Sequence, residues 1–100
     1  MAKGYWIGRV DVHNDEGYKP YAQANGAIFK KYGGRYVVRG GKHTGVEGQA
    51  RSRNVVIEFP DYDTALACYH SPEYQENIKR RQPHSIADLI VVEGYDGPQP

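Results

Sequence analysis

Residues 53–74 constrain the fold more tightly than any other stretch of the chain. Val55-Val56-Ile57-Glu58-Phe59 reads as a buried strand, because β-branched and aromatic residues fit a pleated, half-buried surface. Pro60-Asp61 stops it, and Asp61 or Asp63 can cap a following helix whose buried stripe is Tyr62, Ala65, Leu66 and Tyr69. Ser71-Pro72-Glu73 then gives a cap, a proline at the first helical position and an acid in the first turn. That combination marks a fresh helix start. Tyr74 and Ile78 continue an apolar face there, and Gln82-Pro83 ends it.

The rest of the chain supplies elements to match. Residues 3–12 read as a strand. Asn14 or Asp15 offers a cap for a helix whose apolar face carries Tyr18, Tyr21, Ala22, Ile28, Phe29 and Tyr32. Pro20 argues for a regular helix that begins later than Asp15, and Gly33-Gly34 stops it. Residues 35–41 form a second strand, residues 40–52 a polar glycine-rich loop, residues 54–59 a third strand and residues 87–95 a fourth. The order strand, helix, strand, strand, helix, strand predicts an α+β, ferredoxin-like βαββαβ domain over residues 1–95, an antiparallel sheet with its helices on one face. Residues 96–100 form a tail.

Alternation assigns Trp6, Val10, Val12, Tyr36, Val38, Val55, Ile57, Phe59, Ile90 and Val92 to the helix-facing side. Tyr5, Ile7, Arg9, Val37, Arg39, Val56, Glu58, Leu89, Val91, Glu93 and Tyr95 fall on the other. That second face is mostly apolar, so a lone subunit would expose a large patch to water. A second copy packed face to face would cover it, with Tyr5, Ile7, Arg9, Val37, Val56, Leu89, Val91 and Tyr95 at the interface. Arg9, Arg39, Glu58 and Glu93 give this face two charges of each sign. They either pair with one another or bind a small ligand.

Composition excludes more than it selects. Thirteen Lys and Arg against twelve Asp and Glu leave a net charge of +1, which favours neither nucleic acid nor anionic membrane. The pattern of stacking rings used by RNA-recognition sheets would fall on Asn54 and Val56, so no nucleic-acid partner is expected. No apolar run approaches the roughly 20 residues of a membrane span, and nothing near Met1 resembles a secretion signal. Cys68 is the single cysteine, consistent with a cytoplasmic protein. Nine tyrosines suit pockets and interfaces.

Several short motifs together carry a family resemblance. They are Gly4-Tyr5-Trp6, Tyr32-Gly33-Gly34-Arg35, Val38-Arg39-Gly40-Gly41, Val46-Glu47-Gly48, residues 55–60, residues 65–74 and Val92-Glu93-Gly94-Tyr95. Over nearly the whole chain the pattern resembles the domain-of-unknown-function family thirteen-thirty, small bacterial proteins of the dimeric α+β barrel superfamily. The resemblance implies a ferredoxin-like subunit whose sheet packs on its twin, and no established reaction. Wider relatives of the fold include cofactor-independent oxygenases acting on aromatic compounds, lactone isomerases and haem enzymes, which suggest hypotheses without conferring function. The matching positions with chemistry to offer are Arg39, Glu58, Tyr69, Tyr74 and Glu93.

Glu58 is the candidate general base, provided that a dimer buries it and raises its proton affinity; otherwise it is an ion-pair partner of Arg39 or Arg9. Tyr69 and Tyr74 flank the Ser71-Pro72 break, where a pocket could open over the sheet. The candidate ligand-binding set is Trp6, Arg39, Glu58, Tyr69, Tyr74 and Glu93. His13, His43, His70 and His84 show no metal-ligand spacing, so neither a metal nor a cofactor is expected. Lys42, Arg51 and Arg53 lie in or beside a glycine-rich loop that lacks the order of a phosphate-binding motif. The expected function is a homodimer that binds or transforms a small aromatic or carboxylate metabolite, in the manner of a cofactor-independent oxygenase or isomerase. The alternative is a non-catalytic structural or regulatory homodimer.

Overall fold

Trp6 is where the layers meet. In the computed structural model, which describes residues 2–100, its indole is 1% exposed and its Nε1 donates a hydrogen bond to the Ala65 carbonyl at 2.8 Å. Its ring packs edge-on against Tyr74 at 4.8 Å and Phe29 at 5.1 Å between centroids. Such edge-to-face pairs are favoured by the ring quadrupoles. Sheet and helices are thereby joined through one side chain.

The elements run β1 (Gly4–Val12), α1 (Asp15–Lys31), β2 (Arg35–Arg39), β3 (Arg53–Phe59), α2 (Tyr62–His70), α3 (Pro72–Arg81), a 3-10 turn (Gln82–His84) and β4 (Ser85–Glu93). The four strands form one antiparallel sheet in the order β2-β3-β1-β4. The helices cover one face, giving the ferredoxin-like α+β fold that the sequence predicts. No helix among the described residues is long and apolar enough to cross a membrane.

Local chemistry sets the boundaries. Asn14 caps α1 by accepting from the Gly17 amide, and Asp61 caps α2 by accepting from the Thr64 amide at 2.7 Å. The Ser71 hydroxyl closes α2 by donating to the Cys68 carbonyl and opens α3 by accepting from the Tyr74 amide. Gly33, at φ +73°, turns the chain out of α1 in the left-handed region where a side chain would be strained. The start of α1 departs from expectation: the helix begins at Asp15 and runs through Pro20. Proline there removes the bond that its own amide would have made to the Glu16 carbonyl and crowds that carbonyl, on an exposed side of the helix.

The register corrects the face assignments in two strands. In β4, Leu89 and Val91 lie opposite Gly8 and Trp6, so they face the helices and pack against the core. Ile86, Ile90 and Val92 take the open face instead, and Ile90 is 56% exposed. Residues 89–92 are all apolar, so alternation alone cannot phase them. A fit of shapes goes with the phase: the Leu89 side chain lies over Gly8, in ordinary contact with the space that a side chain there would occupy. In β2, the register shifts between Tyr36 and Val38. This bulge sends Val38 to the open face opposite Val56 and brings Arg39, paired with Val55, to the helix side. Glu93 pairs with Gly4 and shares the helix side too, at the exposed end of β4.

Candidate functional site: a cavity beneath the first helix

Between α1 and the sheet lies a cavity of about 40 Å³. Its floor includes Gly8, Val55 and Leu89, and Trp6, Phe29, Tyr36 and Tyr74 stand around it. From α1 come Tyr18, Tyr21, Ala22 and Asn25. Helical spacing puts these four on one stripe, and the sequence presents them to the sheet in the order ring, ring, methyl, amide.

The polar groups are held in place from behind. Asn77, 1% exposed, donates from Nδ2 to the Asn25 side-chain oxygen at 2.9 Å and to the Tyr21 carbonyl at 3.2 Å, and it accepts from Arg80. The Tyr21 and Tyr74 hydroxyls share a buried hydrogen bond of 2.7 Å that ties α1 to α3. Burial pushes the Tyr74 phenol well above the ordinary range, with the Tyr21 hydroxyl adding to the effect. Tyr18 and Tyr36 are raised by burial as well. These phenols stay protonated, so they can donate and accept hydrogen bonds but not serve as bases.

Two arginines bring positive charge to the cavity lining. The Arg53 guanidinium lies 6.0 Å from the Tyr18 ring centre, and that of Arg81 lies 5.5 Å from the Tyr21 ring centre. Among the described residues neither is in an ion pair with a carboxylate. Buried Nε of Arg53 has no hydrogen-bond partner. Asp88 also lines the cavity, but its carboxylate accepts from Arg51 at 2.9 Å.

Of the residues expected to bind a ligand, Trp6 and Tyr74 line this cavity together. Tyr69 packs against Trp6 and Tyr74, at 5.9 and 5.4 Å, without lining it. Arg39 covers the outer ring of Tyr36 at 4.3 Å. Glu93 borders a shallow depression with Asp61 and Asp63. Glu58 lies on the open face, where it accepts from Arg35 at 3.0 Å and from the Tyr5 hydroxyl at 3.1 Å. Its partner is thus Arg35, not Arg39 or Arg9, because β2 and β3 align Arg35 with Glu58. The Arg35 guanidinium holds the Glu58 carboxyl below the usual range, the opposite of what a general base at neutral pH needs.

Of the remaining interface candidates, Tyr5, Ile7 and Val56 lie half-buried on the open face with exposed Arg9. Val37 is the exposed residue at the bulge, and Tyr95 lies beyond β4 with its hydroxyl on the Pro98 carbonyl. Among the described residues no group of three or more His, Cys, Asp or Glu is placed to hold a metal ion. Cys68 is fully buried and its thiol is pushed up to about 12, which makes it a core residue and not a nucleophile.

Arg53, Arg81, Tyr18, Tyr21 and Asn25 were not singled out as site residues from sequence. The signal for Arg53 was present: it shares the two-residue alternation of Val55, Ile57 and Phe59, which places it on the helix side. Arg81 lies seven residues after Tyr74, on the same helical stripe.

Fold and site together define a ferredoxin-like α+β domain with an aromatic-walled, arginine-lined cavity under its first helix. Residues 3–95 match the family described as "Domain of unknown function (DUF1330)", and the chain belongs to that family. Solved structures share the fold. A protein of unknown function from Rhodopseudomonas palustris, RPA0582, aligns with a TM-score of 0.74 at 19% identity, over 96% of this chain and 85% of that one. SnoaB, a cofactor-independent oxygenase from Streptomyces nogalater, aligns at 0.62 and 14% identity over 100% and 97%. A dimeric ferredoxin-like protein of unknown function from Thermobifida fusca aligns at 0.56 and 11% identity, over 91% and 92%. No curated protein matches the sequence.

Proposed function

We propose that the chain acts as a cytoplasmic homodimer that binds a small aromatic or carboxylate-bearing metabolite in the cavity beneath α1, and transforms it there without a cofactor. The observation that carries the reading is the lining itself. Rings supply contact area, while the Tyr21–Tyr74 hydroxyl pair, the Asn25 amide and two arginines free of carboxylates supply oriented donors. Pre-oriented donors facing an enclosed space favour any substrate atom that gains negative charge during reaction. SnoaB, a cofactor-independent oxygenase, shares the fold, which is an analogy of scaffold alone. The apolar open face, with Ile86 and Ile90 more than half exposed, supports assembly with a second copy. The buried, unpaired Cys68 suits a reducing compartment.

The alternative, a structural or regulatory homodimer, draws on the open face. There Glu58 pairs with Arg35, and Arg51 bridges Asp11 and Asp88, as charges arranged to fix an interface would. A screen of small aromatic and aliphatic compounds, read by Trp6 fluorescence and melting temperature, separates the two. The enzyme or binder reading expects hits that Ala22→Leu, which fills the cavity, abolishes and that Glu58→Gln leaves intact. Hits that survive Ala22→Leu, or a panel with no hits at all, would overturn it.

A further inference from the structure

We infer that the cavity beneath α1 selects a short-chain monocarboxylic acid, whose carboxylate lies against Arg53 and Arg81 and whose few carbons pack among the cavity's rings. This rests on the small-molecule reading above and deepens it by fixing the charge and head group of the ligand.

Arginine pairing across the molecule carries the inference. On the open face Arg35 is paired with Glu58, and Arg51 with both Asp11 and Asp88. Among the described residues Arg9, Arg39 and Arg80 also lack a carboxylate, but they are exposed to water, whereas the half-buried Arg51 is supplied with two acids. Under α1, among the described residues, Arg53 and Arg81 have none. Asp88 is the one acidic residue of the lining, and its carboxylate lies on the open face with Arg51. A guanidinium cannot shed its proton, so it stays positive at every pH at which the protein folds. Burying its Nε without a partner costs free energy that an anion held at that nitrogen recovers.

Size and donor type narrow the anion. A cavity of about 150 Å³ holds benzene, so one of about 40 Å³ takes a carboxylate and a body of only a few carbons. A planar carboxylate matches the guanidinium fork with two parallel hydrogen bonds. A phosphate is bulkier, and its usual cradle of backbone amides at a glycine-rich turn or helix start is replaced here by rings and strand. The phenols of Tyr18 and Tyr74, held protonated by burial, add no competing negative charge.

The test uses matched acids and amides of the same shape: acetate with acetamide, propionate with propionamide, and butyrate with butyramide. Titration calorimetry on the wild-type protein, Arg53→Gln, Arg81→Gln and Ala22→Leu reads affinity, with Trp6 fluorescence as the check of folding. At least one acid should bind about tenfold or more tighter than its amide. Arg53→Gln or Arg81→Gln should erase that preference while the amide's affinity changes by less than about threefold, since only the charged contact is removed. Acid and amide that bind equally, both blocked by Ala22→Leu, would overturn the inference and leave the cavity reading standing. Failure of every pair to bind would overturn both.

Discussion

The buried hydroxyl pair between Tyr21 and Tyr74 is the contact whose energetics the structure predicts most sharply. Tyr74 is 0% exposed and Tyr21 7%, and their oxygens lie 2.7 Å apart. Removing one hydroxyl leaves the other buried without its partner, at a cost of about 1–3 kcal/mol. Arg81 stands beside the pair and offers a substitute partner, which places each single substitution near 1–2 kcal/mol on that scale. Removing both hydroxyls replaces the pair by apolar ring edges and strands neither oxygen. Tyr21→Phe with Tyr74→Phe should therefore cost less than the sum of the single changes, with a coupling of about 1–2 kcal/mol. Urea unfolding followed by Trp6 fluorescence at fixed protein concentration measures all four proteins. At this chain length about 1 kcal/mol corresponds to roughly 4–8 °C in Tm, so each single change should be visible in a melt. Additivity within about 0.5 kcal/mol would refute the reasoning, because it would mean that the two oxygens do not depend on each other.

Gly26 lies within α1, and a Cβ built there meets nothing within 4 Å; Gly26→Ala should raise stability by about 1 kcal/mol through helix propensity, and a loss of stability would show that the site is not open. Glu58 is held below the ordinary glutamate range first by Arg35, so its contribution is present above about pH 4.3 and is lost as pH falls through the lowered folded value. Glu58→Gln should accordingly be less stable than wild type at pH 7, with the gap closing in acid; an unchanged gap at low pH would contradict the assignment. The Cys68 thiol, buried and pushed up to about 12, should react with a thiol reagent only at the rate of global unfolding. Fast labelling of the native protein would show that the α2 core opens locally.

The framework of the fold was legible because its punctuation is strong. Asn14, Asp61 and Ser71 all act as caps, and each uses its own side-chain oxygen as the local sequence suggests. Strand phase was legible only where polar residues alternate with apolar ones, as in β1 and β3. Four successive apolar residues in β4 carry no phase, and a bulge in β2 reverses one, so Leu89, Val91, Val38 and Arg39 changed faces. The site was harder to see because its charged members come from places that look unrelated in sequence. Arg53 follows a glycine-rich loop, and Arg81 ends a basic run that the helix dipole already explains. Only the packing of α1 over β3 and α3 brings them to one cavity. Trp6 and Tyr74 read from the sequence as large rings at buried positions, whereas Glu58 reads as an acid in a strand and is held by Arg35 on the other side of the sheet.

The most direct measurement is a map of backbone amide chemical shifts during titration with the acid that binds tightest among the matched pairs. The account predicts that the largest shifts fall at Tyr18, Tyr21, Asn25, Arg53 and Tyr74, around the cavity, with Tyr5, Arg35 and Glu58 unmoved. Shifts centred on Tyr5, Arg35 and Glu58 would place the ligand on the open face and contradict it.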